Sequence, residues 1–165
     1  MKCFVLMLCL LSVIPAHAQD APEDKLAIFA PFIGTWKAEF VDGTHDISHY
    51  EWILGGKALR IMHSMNAGDY GGEALVHWNT DKEAISFRYA TTAGFYTDGT
   101  ITPTENGFDA HEIVHGNMGG ITKTRAGYTI KEGEIKVWSQ FFKDGEWAEK
   151  TQATYVRAPG AEVIF

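Results

Sequence analysis

Residues 111–115 read His-Glu-Ile-Val-His, the H-E-x-x-H pattern. On a helix that spacing makes a zinc hydrolase. Two imidazoles at i and i+4 converge on one ion, and the Glu activates the bound water. On a strand the same imidazoles stand about 13 Å apart along one face, too far to share an ion. His111, Glu112 and His115 sit between turn signals at Asn106-Gly107 and Gly116-Asn117, a stretch shorter than a catalytic helix and containing β-branched Ile113 and Val114. No Gly and His follow at a metzincin spacing, and no long downstream helix offers a third ligand. His45 and His49 repeat the spacing in another strand-like run, with the same obstacle. No G-x-S-x-G elbow, P-loop or dinucleotide glycine fingerprint occurs. The motifs therefore indicate no bound metal and no cofactor. The enzyme alternatives are a zinc hydrolase at His111, Glu112 and His115, or an acid–base isomerase or cyclase built on a residue such as His63 or Glu51.

The elements around these residues read as β throughout. Turn signals fall at Asp42-Gly43, Gly55-Gly56, Gly68-Asp69, Asn79-Thr80-Asp81, Asp98-Gly99, Asn106-Gly107, Gly119-Gly120, Glu132-Gly133 and Asp144-Gly145. They divide the chain into eight to ten short antiparallel strands with no long crossover helix. A meander of that many strands removes its edges by closing into a barrel. The fold class is thus all-β, a single antiparallel meander barrel. Before it, residues 20–31 form a short helical lead-in, capped by Asp20 or the Pro22-Glu23-Asp24 group and stopped by Pro31. The tail from Pro159 to Phe165 reads as a frayed end.

Alternation then sorts the side chains. Trp36, Ala38 and Phe40 share a face, as do Leu59, Ile61, His63 and Met65, and Ile85, Phe87 and Tyr89. Residues 134–142 carry aromatics on both faces, Trp138 and Phe142 against Val137 and Phe141, which implies a large interior and a covered patch outside. Barrels of eight to ten strands have room for one small ligand. Polar side chains on inward faces would orient it, and the candidates are His49, Glu51, His63, Arg88, Glu112 and Tyr155.

The first residues form a leader. Lys2 is followed by the apolar run Phe4–Ile14 and by Ala16-His17-Ala18, an A-x-A cleavage site. Residues 1–18 are expected to be a signal peptide and 19–165 one exported domain, periplasmic or secreted. The leader's run is too short for a membrane span, and no other segment reaches the ~20 apolar residues that a span requires. Both cysteines, Cys3 and Cys9, lie in the leader, so the domain has neither disulfides nor thiolate chemistry. The formal net charge is −7, and −8 once Lys2 is removed. That charge disfavours nucleic acid and anionic membranes as partners. The expected partner is a small apolar or amphipathic molecule; the pattern fixes no oligomeric state.

Gly34-Thr35-Trp36 opens the first strand and Tyr155-Val156-Arg157 closes the last. This pairing resembles the calycin barrels, which include lipocalins and fatty-acid-binding proteins. The resemblance gives Gly34, Trp36 and Arg157 a structural role, with the Arg lying across the indole at one barrel end. Leu26 to Trp36 is similar to the start of the nitrobindin-like barrels, and Tyr50-Glu51-Trp52 with Gly55-Gly56 continues the likeness. The run from Tyr70-Gly71-Gly72 through His77-Trp78-Asn79 to Phe95-Tyr96 resembles a family of exported bacterial proteins treated as calycin-like. Nitrobindins hold haem through a His late in the chain. The last His here is His115, so haem binding is not carried over. Fatty-acid-binding proteins grip a carboxylate with an Arg and a Tyr two residues apart. By that likeness Tyr155 and Arg157 are either an anion clamp or, for Arg157, a partner of Trp36.

Overall fold

A computed structural model describes residues 24–165. The expected leader and the start of the lead-in fall outside the described residues. A 3-10 helix spans Asp24–Phe32, running through Pro31 rather than stopping before it. Eleven strands follow: β1 Gly34–Glu39, β2 His45–Ile53, β3 Ala58–Met65, β4 Tyr70–Asn79, β5 Ala84–Thr91, β6 Tyr96–Thr104, β7 Gly107–His115, β8 Ile121–Lys131, β9 Glu134–Lys143, β10 Glu146–Trp147 and β11 Thr151–Arg157. Each strand from β1 to β9 pairs antiparallel with the next. β9 also pairs with β11, and β11 with β1, which closes the ring. β10 pairs only with the far end of β9, as a detached piece of the last strand. The molecule is a closed antiparallel barrel of ten strands.

The turn chemistry explains most of the meander. Gly43, Gly55, Gly56 and Gly133 sit at positive φ between strands, where glycine has no steric cost. Asp98-Gly99 is the exception. It lies inside β6, where Arg88 chelates the Asp98 carboxylate at 2.7 and 3.0 Å. A Cβ on Gly99 would stand 2.3 Å from the Phe87 ring, so this glycine provides space for a core aromatic rather than a turn.

One end of the barrel is plugged by the 3-10 helix. Leu26, Phe29 and Phe32 are almost wholly buried against Trp36, Leu59 and Val76. The helix's last carbonyls need donors from outside it. Trp36 Nε1 donates to Phe32 O at 2.6 Å, Arg157 Nη2 donates to Pro31 O at 2.9 Å, and Arg157 Nη1 donates to Ile33 O. Trp36 and Arg157 are register partners, and the guanidinium lies 3.8 Å from the indole centroid. Gly34 has φ +114°, and a Cβ there would meet Arg157 Nη1 at 2.7 Å. Both its conformation and its size are thus required.

Two surface features complete the architecture. The tail is not frayed against the barrel wall: Ile164 N–H donates to the buried Ser64 Oγ at 3.1 Å, and the Phe165 ring lies against Gly71. The outward aromatics of the β8–β10 region carry cations: Lys150 over Trp138 at 4.0 Å, Lys123 over Phe142 at 5.3 Å and Arg125 over Trp147 at 4.2 Å.

Candidate functional site

The half of the barrel away from the helix encloses a cavity of about 400 Å³. The floor is aromatic: Phe108 stacks on Tyr128 with centroids 4.6 Å apart, and Phe32 of the plug packs beneath Phe108 and Tyr50. Phe87, Ile101, Ala110 and Ala126 form apolar walls, and Phe95 and Met118 bring in the β5–β6 and β7–β8 turns. The interior is apolar because every second residue of these strands points to it, and it stays partly empty because Ala74, Ala110 and Ala126 occupy inward positions.

Polar groups gather along one arc of this wall. Asp46 on β2 is 4 % exposed and receives three donors: Tyr155 OH at 2.7 Å, Ser48 OH at 3.2 Å and the Nδ1–H of His63 at 3.0 Å. His63 Nε2 lies 2.5 Å from Tyr89 OH, which donates to Tyr70 OH at 3.1 Å. A Cβ on Gly72, between these strands, would stand 2.4 Å from the Tyr89 ring, so the missing side chain seats that tyrosine. On β6 and β7, Thr97 OH donates to Glu112 Oε2 at 2.5 Å, and Thr124 on β8 hydrogen-bonds the same carboxyl. Tyr89 and Thr97 are register partners, as are Glu112 and Thr124. The chain Asp46–His63–Tyr89–Tyr70 and the group Thr97–Glu112–Thr124 therefore form one polar arc from β2 to β8.

Burial acts on the Glu112 carboxyl and on the phenols of this wall. Desolvation pushes the Glu112 carboxyl up from its ordinary 4.5, and the Thr97 and Thr124 hydroxyls offset part of that rise. Tyr70, Tyr89, Tyr128 and Tyr155 are all pushed above the usual phenol range, chiefly by burial. They remain hydrogen-bond donors at neutral pH. Asp46 orients the His63 ring through Nδ1, so that Nε2 is aimed at the Tyr89 oxygen.

The sequence candidates divide between the two faces of the wall. His63, Glu112 and Tyr155 point inward and belong to the arc. His49, Glu51 and Arg88 do not. Trp36 pairs with Ser48, which turns the even-numbered residues of β2 inward and His49 and Glu51 outward. His49 Nδ1 meets Thr35 Oγ1 at 2.8 Å, Glu51 accepts from Arg60 at 3.2 Å, and Arg88 pairs with Asp98. These are contacts of the outer surface, and none of the three lines the cavity. Tyr155 and Arg157 do not form an anion clamp either, since the phenol is tied to Asp46 and the guanidinium to Trp36 and the helix carbonyls. The sequence put Tyr89 on the face of Ile85 and Phe87 without a polar role, and did not mark Asp46, Tyr70, Thr97 or Thr124 as candidates. Parity with Tyr50 and Trp52 is the signal that would have placed Asp46 inside.

The H-E-x-x-H segment is strand β7. Glu112 faces the cavity, whereas His111 pairs with Thr100 and Arg125 on the outer face and His115 Nε2 lies 3.3 Å from Asp98. The two imidazoles and the carboxyl are thus on opposite sides of the wall and cannot share a zinc ion. Among the described residues, no three His, Cys, Asp or Glu side chains come together as a metal site. No helix among the described residues is long and apolar enough to cross a membrane. The chain matches no protein-family model, and no curated protein matches it in sequence.

Proposed function

We propose that this chain is an exported calycin-like barrel that binds a small, largely apolar molecule in its interior. The observation that carries the reading is the cavity itself: about 400 Å³ of largely apolar space with a small number of polar groups on its wall. That is the usual make-up of a small-molecule site. Export is inferred from the leader, and the calycin affinity from Gly34, Trp36 and Arg157. Native mass spectrometry of protein purified from its own host is expected to show a retained small molecule, and ligands of the same class should raise the melting temperature. A barrel that is empty as isolated, with no ligand-induced stabilisation across a lipid and metabolite panel, would overturn the reading.

A second reading has its own observation, the Asp46–His63–Tyr89 chain at 3.0 and 2.5 Å. An imidazole oriented by a carboxylate and bonded to a phenol can pass a proton to or from a carbonyl compound. The barrel would then be an acid–base isomerase or cyclase. Incubation of the retained molecule with protein in deuterated water tests this. Deuterium entering a carbon position with wild-type protein, and not with a folded His63→Ala variant, supports catalysis; no exchange with wild type overturns it.

A further inference from the structure

The cavity wall holds acids with few cations to balance them. Glu112 faces the cavity directly, and Asp46 lies behind His63 on the same arc. Among the described residues, Arg125 is the one Lys or Arg that lines the cavity, and its guanidinium is engaged elsewhere. It donates to Gln140 at 2.9 Å and lies over Trp147 at 4.2 Å. His63 is held between Asp46 and Tyr89. We propose that the occupant is a cationic amphiphile, an apolar body carrying one ammonium seated against Glu112. This rests on the ligand-binding reading above and adds the charge of the ligand to it.

An ammonium beside Glu112 gives that carboxylate a partner in a poorly hydrated site, where an opposite charge acts strongly and a lone charge is costly. The oxygens of Thr97, Thr124 and Tyr70 can accept its remaining hydrogens. A ligand carboxylate would instead meet Glu112, with Asp46 behind His63 and no free cation on the cavity wall to compensate. Finally, the net charge of −7 draws cations toward the molecule and repels anions.

The arrangement also predicts a linked proton. The groups facing Glu112 are Tyr70 on β4, Tyr89 on β5, Thr97 on β6, and Thr124 and Tyr128 on β8, with His63 and Asp46 further along the arc. None of the groups nearest the carboxyl is a cation. Burial raises the carboxyl's pKa and an entering ammonium favours its ionised form, so amine binding releases a proton wherever the carboxyl of the free protein is protonated. Amine affinity therefore rises with pH for as long as the amine itself stays protonated.

Titration calorimetry of the purified protein with n-decylamine, n-decanol and decanoate, each below its micelle concentration, tests the proposal. Near neutral pH the amine should bind at least about tenfold more tightly than decanoate, with the alcohol between them. In Glu112→Gln the amine should fall to within roughly threefold of the alcohol and lose its pH dependence. Decanoate binding as tightly as decylamine would overturn the charge assignment and leave ligand binding intact. If all three fail while the neutral dye Nile red binds, the charge assignment is again overturned. If Nile red fails as well, the ligand-binding reading falls with it.

Discussion

Glu112 is the residue on which local physics and function meet. It lies on the inner face of β7 with two threonine hydroxyls as its hydrogen-bond partners, and burial raises its pKa above 4.5. An acid raised in the folded state favours the fold while it is protonated. Its contribution is complete below 4.5 and is lost as pH rises through the raised value. The native protein should therefore lose stability from pH 4.5 upward relative to Glu112→Gln, whose amide does not titrate. Urea melts of both proteins at acid and neutral pH check this. Parallel stability–pH curves would show that the carboxyl is not desolvated by the fold. Asp46 presents the contrasting solution. It is more deeply buried than the half-buried Glu112, but three donors satisfy it, so it can orient His63 instead of waiting for a ligand.

At the scale of elements, the end plug depends on a few residues separated by most of the chain. Trp36 is 1 % exposed, and Trp36→Ala should cost about 3–5 kcal/mol from the lost aromatic and the void left behind. Arg157 has an exposed side chain, so Arg157→Ala should cost about 1–2 kcal/mol through its cation–π contact and its bonds to Pro31 and Ile33. Both act on one contact and on one set of helix carbonyls. The double variant should then be less destabilised than the sum of the singles, as read from denaturant melts. Strict additivity would mean that the two side chains do not support each other.

These same elements show what was legible in the sequence. The plug residues stood out because a Gly-x-Trp, Gly34 and Trp36, and an arginine, Arg157, sit at the two ends of the meander. Most hairpins were legible because positive φ selects glycine at turns. Asp98-Gly99 misled because a glycine can also make room for a ring, and nothing local marks Phe87 as the ring it admits. The face of β2 misled for a related reason. Its inward residues include Asp46 and Ser48 while Ile47 is buried on the outer side, so hydrophobicity does not report parity there. The arc itself joins β2 to β8, and its pairings are set by register rather than by any spacing in the chain.

The whole molecule holds a cavity that a protein selected for stability alone would fill. Interiors are close-packed, and empty apolar space forfeits contacts on every side. Here the space persists because small residues occupy inward positions, among them Ala126 on β8, which is 7 % exposed and lines the cavity. If the vacancy serves a ligand, filling it should exchange binding for stability. Ala126→Leu adds apolar atoms where no neighbour occupies the space, and should raise unfolding free energy by about 0.5–2 kcal/mol. The same substitution should abolish Nile red uptake, since the added side chain projects into the volume a ligand would use. Urea melts and dye titration on one preparation test both halves together. A variant that loses stability would indicate that the interior is already close-packed at Ala126. One that gains stability yet still takes up the dye would place the ligand in another part of the barrel.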